Sequence, residues 1–438
     1  MLFSSNTFLF GFLPAVVVLY YLCPRRCRNV LLLVSSLIFY GWGEPKYVLL
    51  MLVSILLNYF CGLAAARQQS RQRSVRGVLI VGMALNLGML GFFKYGTFFF
   101  GSAFPDIPLP IGISFYIFQA MSYLIDVCRR EVEVQKNVLT FGTYVTLFPQ
   151  LIAGPIVRYR DVAEMLESRR ENLPQFSRGV QRFVVGLSKK VLLANTFGSA
   201  WNALQVTPGT AAAWLGLLCY TLQIYFDFSG YSDMAIGLGQ LFGFTFLENF
   251  NYPYISASIT EFWRRWHISL STWFKEYVYI PLGGNRKGLA RQIFNILVVW
   301  LLTGLWHGAS WNFVLWGGYY AALLILEKCW LLKAGEKLPL VLRRMMTMVL
   351  VMLGWALFYF EDLGALGAFL GRLFTAVPSA GIAFYLPVTA LGCLCATPAL
   401  KRVKLPDGVR WGLCVVLLLL CVASLARQSY NPFIYFRF

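Results

Sequence analysis

The chain has 438 residues, of which 58% are hydrophobic and 13% charged, with a formal net charge of +19 and a mean hydropathy of +0.63. A soluble domain carries about 25% charged and 45–50% apolar residues, so a water-soluble fold is excluded and lipid is the solvent for most of the chain. The short alternating strands of an outer-membrane barrel are absent, and the Arg clusters flank apolar runs without forming a basic domain, which argues against nucleic acid as a partner.

About 20 apolar residues span the ~30 Å hydrocarbon core as a helix. In chain order the candidates are 4–22, 29–43, 47–66, 78–100, 110–127, 138–154, 211–228, 232–247, 292–307, 311–331, 346–361, 380–399 and 411–427. Several are short or interrupted by Gly and Pro. The expectation is therefore an all-α polytopic membrane protein with 10–13 transmembrane or re-entrant helices. The first run, MLFSSNTFLFGFLPAVVVLYYLCPRR, has no basic start and no small-residue cleavage site, so it reads as a retained helix. Loops expected inside carry Arg25, Arg26, Arg28, Arg67, Arg71, Arg73, Arg76, Arg129, Arg130 and Lys136; those expected outside carry Lys46 alone. Positive charge accumulates on the cytoplasmic side, which places the first residues outside, and it also attracts anionic membrane lipid.

Residues 157–190 hold charges of both signs and read as an amphipathic or interfacial region. In QIYFDFSGYSDMAIG (223–237), Asp227 and Asp233 interrupt an apolar stretch. Carboxylates at membrane depth are candidate functional groups; the competing reading is that they cap the ends of a broken helix. Residues 249–291 are too polar to span and too aromatic for a free loop. Irregular backbone at membrane depth needs protein or a water-filled cavity around it, so 249–318 is the expected functional centre.

The chain's two histidines both lie there. His267 sits in EFWRRWHISLS, where Glu261 and Arg265 are spaced i,i+4 for a helical pair and Trp263 and Trp266 suit either an interfacial anchor or a ligand wall. His307 follows an apolar run that ends in LTGLW and is flanked by Gly304 and Gly308, which permit close backbone approach or a helix break. A charged residue at the centre of a spanning helix costs about 2.5 kcal/mol or more. His307 is thus either a neutral ring bonded between helices or a general base in a polar tunnel, since an imidazole with a reference pKa of about 6.5 accepts a hydroxyl proton near neutral pH. The ten cysteines include no C-x-x-C pair, and with two histidines no zinc site of ordinary spacing is expected. No nucleophile elbow, phosphate loop or dinucleotide glycine pattern appears. What remains is histidine base catalysis on a substrate delivered into a membrane cavity, with a polysaccharide or lipid transporter and a non-catalytic scaffold as rivals. A transporter usually shows inverted repeats, and none is evident.

LWHGASWNFVLWGG (305–318) resembles the signature of the membrane-bound O-acyltransferase family, and within it the chain is similar to the alginate O-acetylation branch. The likeness extends through SSNTFLFGFLP, LPIGISFYIFQAMSYLIDV (109–127), LFPQLIAGPIVRY (147–159), QIYFDFSGYSDMAIG, the run 249–284 and the closing NPFIYFRF. It implies one transmembrane domain over 1–438: N-terminal helices (1–156), the amphipathic region (157–190), a catalytic core (211–331) and C-terminal helices (346–438). The resemblance further implies catalytic His307, a second histidine at His267, and a funnel where a cytoplasmic acyl thioester meets an acceptor from outside. Acetyl-CoA is the implied donor, with no tightly bound cofactor, and the site is the cytoplasmic membrane of a bacterium. The implied acceptors are alginate, another exopolysaccharide or peptidoglycan, often through a periplasmic or cell-surface acetyltransferase partner; D-alanyl transfer to teichoic acid is the alternative. Trp306, Asn312, Asp227, Trp263, Arg264 and Arg265 are the expected substrate- or donor-lining residues, with Arg286 and Lys287 placed to meet an anionic donor.

Overall fold

A computed structural model describes residues 1–105, 107–152 and 154–427. All regular elements among them are helical. The closing NPFIYFRF motif lies outside the described residues. The chain divides into two compact units, one made of Met1–Leu187 and Tyr231–Glu248, the other of Ser188–Gly230 and Asn249–Phe438.

In the first unit, helix Ile113–Arg129 is buried along nearly its whole length and packs against helices Val48–Ser70 and Arg76–Leu90. Apolar contact with lipid competes equally with apolar contact between helices, so small residues and amide pairs supply the specificity of such packing. Asn58 and Asn86 exchange side-chain hydrogen bonds of 3.0 and 2.8 Å between the latter two helices. The charged region 157–190 forms helices Tyr159–Ser168 and Leu173–Ser188. Between them, Glu171 takes an ion pair from Arg28 at 2.6 Å and a hydrogen bond from Tyr20 at 2.5 Å.

In the second unit, helices Leu289–His307 and Trp311–Leu326 form the most extensive pair. A Cβ at Gly304 would collide with the carbonyl oxygen of Phe313, and one at Gly317 with that of Trp300. These two glycines let the helices meet backbone to backbone. Helix Asp407–Arg427 turns Leu413, Val415, Val416, Leu419 and Leu420 outward, an apolar stripe that lipid, and not water, can cover.

Six helices among the described residues are long and apolar enough to cross a membrane: Pro45–Ser70, Arg76–Ala103, Thr210–Leu241, Leu289–His307, Leu340–Tyr359 and Asp407–Arg427. Other expected segments form shorter helices; 138–154, for instance, breaks at Leu147 into Val138–Thr146 and Phe148–Leu151. The expected pair 211–228 and 232–247 is instead one unbroken helix, Thr210–Leu241. Its carboxylates therefore cap nothing. Asp227 pairs with Lys190 at 2.5 Å and Asp233 with Arg182 at 2.8 Å, so each charge is neutralised in mid-helix and no break is needed to reach a partner.

Candidate active site

The site is built on two seven-residue helices, Ile259–Arg265 and Ile268–Phe274. Ser258 caps the first by accepting from Glu261 N at 3.0 Å, while Glu261 reaches back to Ala257 N at 2.8 Å. The Ser258 oxygen makes one half of a capping box, and Glu261 turns back to the N–H one residue before the cap and not to that of Ser258 itself. Glu327, 6% exposed, adds a carboxylate from a distant helix. It accepts from Ile259 N at 2.6 Å, Thr260 N at 2.8 Å and the Thr260 hydroxyl at 2.7 Å. The expected Glu261–Arg265 pair is present at 2.9 Å.

His267 joins the two helices in the left-handed region, φ +45° and ψ +55°. Asn249 holds this turn. Its side-chain oxygen accepts from Ser269 N at 3.1 Å and from the Ser269 hydroxyl at 2.9 Å, and its backbone oxygen accepts from Ile268 N at 3.0 Å. The His267 ring lies outside every membrane-crossing helix and is 1% exposed. Burial pushes its pKa down to about 3, because a buried site disfavours the charged imidazolium.

His307 ends helix Leu289–His307, and Gly308 takes an extended conformation, as the flanking glycine suggested. The two histidines share one neighbour. The Trp306 ring stands 5.8 Å from His267 and 5.0 Å from His307 between centroids. Trp316 and Phe358 close the other sides of His307 at 5.0 and 5.4 Å.

A cavity of about 280 Å³ reaches His267. Trp263, Trp300 and Thr303 form part of its wall, and Arg264, Lys275 and Lys328, all exposed, lie along it. Among the described residues, no Asp or Glu lines it. Its size is near the lower end of ligand pockets, about 300–1,000 Å³. Cations at the exposed end and a neutral imidazole in an aromatic interior suit an anionic molecule that presents a small reacting group.

Of the expected site residues, Trp263, Arg264 and His267 line this cavity. Trp306 is buried and its ring contacts both imidazoles. Asn312 is fully buried and donates to Phe358 O at 3.1 Å, tying helix Trp311–Leu326 to Leu340–Tyr359. Asp227 is held by Lys190, and Arg265 by Glu261; neither is among the lining residues. Arg286 and Lys287 are exposed in the loop before Leu289 and do not line it either. Lys275, Lys328, Glu327 and Asn249 escaped the sequence reading. Asn249 and Lys275 both lie in the polar run 249–291 already singled out, which was the available signal.

Residues 37–333 match the MBOAT, membrane-bound O-acyltransferase family. The chain is 41% identical to the probable alginate O-acetylase of Pseudomonas putida, over the full length of both proteins. It is 34% identical to the peptidoglycan O-acetyltransferase of Helicobacter pylori, across 83% of this chain and 78% of that protein. A further relative, the teichoic acid D-alanyltransferase of Streptococcus thermophilus, is 30% identical over 51% of this chain and 58% of its own length. The chain belongs to the membrane-bound O-acyltransferase family and is an O-acyltransferase.

Proposed function

We propose that the protein moves an acetyl group from a cytoplasmic thioester, acetyl-CoA, across the bacterial cytoplasmic membrane to a hydroxyl of an extracytoplasmic polysaccharide, directly or through a partner acetyltransferase. His307 is the general base. Its imidazole takes the hydroxyl proton as the oxygen attacks the thioester carbonyl carbon. The carbon–sulfur bond then breaks, and the thiolate leaves and is protonated. Arg264, Lys275 and Lys328 attract the phosphates of the donor, and the aromatic wall excludes water that would hydrolyse the thioester.

The observation that carries this reading is the cavity itself. It runs along three cations to the His267 imidazole; His307 is not among its lining residues, and its ring contacts the same Trp306 indole as His267. A polysaccharide acceptor is favoured because the relative matched over its full length is named a probable alginate O-acetylase.

Purified protein in vesicles, supplied with labelled acetyl-CoA and an acceptor glycan, tests the proposal. A general base contributes about 10²–10⁴ in rate, so His307→Ala loses at least that range's lower bound while remaining folded. Wild-type acetylation by a folded His307→Ala protein overturns the base assignment. Glycan movement without acyl transfer indicates a transporter, and neither activity indicates a scaffold.

A further inference from the structure

We infer that Asn249 is a positioning residue that locks His267 as the Nδ1–H tautomer, leaving Nε2 as the lone-pair atom of that ring. A backbone N–H only donates. Since Ser269 N lies 3.1 Å from the Asn249 side-chain atom assigned as oxygen, that atom is an acceptor and the amide cannot be turned over. The Ser269 hydroxyl is 2.9 Å from the same oxygen and 3.5 Å from His267 Nδ1, so its proton goes to Asn249. His267 Nδ1 sits 3.2 Å from this oxygen. An amide oxygen carries no proton, so the proton between them belongs to the imidazole. In a neutral ring the other nitrogen is then the acceptor.

The backbone supports the same assignment. A non-glycine residue in the left-handed region is strained and persists only where its surroundings hold it. Both oxygens of Asn249 do this, receiving the N–H groups of Ile268 and Ser269. Asn249 is 1% exposed, so water does not compete for these bonds. The ring plane is set from its other side by Phe228, perpendicular at 4.7 Å.

The consequence for chemistry rests on the acetyl-transfer reading above. A neutral His267 with its lone pair on Nε2 accepts a hydrogen bond, and so it orients a hydroxyl for attack. It has no second N–H with which to stabilise a developing oxyanion. Of the two roles open to a second histidine, the turn selects the first.

The chain's two histidines make this measurable. With ring-¹⁵N histidine incorporated into the full-length protein in lipid, only two imidazoles contribute signals, and His307→Gln assigns them. At pH 7 the expected His267 pattern is a protonated Nδ1 and an unprotonated Nε2. The reverse pattern in the wild-type protein overturns the inference, whatever the activity. In the vesicle assay, Asn249→Leu lowers kcat by about 10²–10⁴-fold, the range for loss of a correctly poised acid–base group, with KM for acetyl-CoA little changed. Asn249→Asp keeps an acceptor oxygen in place and restores both the tautomer and most of kcat. If Asn249→Leu fails to fold, the wild-type spectrum and the Asp variant still decide. An Nδ1–H spectrum in a protein that transfers no acetyl group would refute the proposed function and leave the tautomer standing.

Discussion

Removing the Glu327 carboxylate tests how the site is supported. Glu327 contributes no atom to the cavity wall, yet its two oxygens take the first two N–H groups of helix Ile259–Arg265 and the Thr260 hydroxyl. In Glu327→Ala these donors lose their partner in surroundings where Ile259 is 1% exposed. Each buried donor left unsatisfied costs about 1–3 kcal/mol, so two backbone donors amount to roughly 2–6 kcal/mol. A seven-residue helix cannot absorb that alone, because isolated helices shorter than about 12–15 residues are marginal. The first turn frays, and with it move Thr260, Trp263 and Arg264, all on the cavity wall. A displacement near 1 Å at a reacting centre costs about 10²-fold in rate. The assays are thermal unfolding in lipid nanodiscs and acetyl transfer in vesicles. Glu327→Ala should lower the midpoint by several degrees and the rate by about 10–100-fold, and Glu327→Gln, which keeps one acceptor oxygen, should fall between Ala and wild type. A Glu327→Ala protein with wild-type midpoint and rate refutes the reasoning.

Two further outcomes follow from buried charge. Breaking the Lys190–Asp227 pair with Asp227→Asn strands a lysine that is 4% exposed and should destabilise by about 3–5 kcal/mol, whereas Lys190→Met combined with Asp227→Leu recovers most of the loss; equal stability of the single variant and the wild type would contradict this. The His267 pKa lies near 3 when folded and about 6.5 when unfolded, so the unfolded chain binds the extra proton between these values. Its contribution to stability is therefore complete above pH 6.5 and is lost progressively as pH falls towards 3. Midpoints of wild type and His267→Gln measured from pH 7.5 to 4.5 should diverge in slope, with the shallower decline in the variant. Parallel curves would exclude a buried neutral ring.

The legible parts of this protein are the local ones. The Glu261–Arg265 pair and the helix end at Gly308 each depend on residues within a few positions of one another, and each is present. The apolar runs mark helices well, since length and hydropathy are properties of a single segment. What the sequence concealed was long-range pairing. Asp227 reads equally as a functional carboxylate and as a helix cap until Lys190, 37 residues earlier, is seen beside it. Glu327 draws no reading at all, because its partner, the backbone of Ile259, lies 68 residues away. Lys328 likewise draws none and lies along the cavity. Burial of a charge is decided by its partner, and one sequence does not display partners.

That distinction also sorts the polar residues of 249–274, which composition alone marks as functional. Two helices of seven residues do not satisfy their own backbones, since the first four N–H groups of any helix have no partner within it. In an apolar surrounding those groups need side chains. Ser258 and Glu327 receive the N–H groups that open the first helix, Glu261 the one just before it, and Asn249 those that open the second. Asn251 N, in turn, donates to Arg265 O at 2.9 Å. These polar atoms are occupied in making non-spanning backbone soluble inside a membrane protein. Their presence is what the geometry demands, whether or not chemistry occurs there. Thr260, Arg264, His267 and Ser271 differ, because they reach the cavity. The catalytic hypothesis therefore rests on few groups. The sharpest discrimination comes from comparing variants of the two kinds: loss of a backbone-holding oxygen lowers stability and rate together, and loss of a cavity-facing group lowers rate alone.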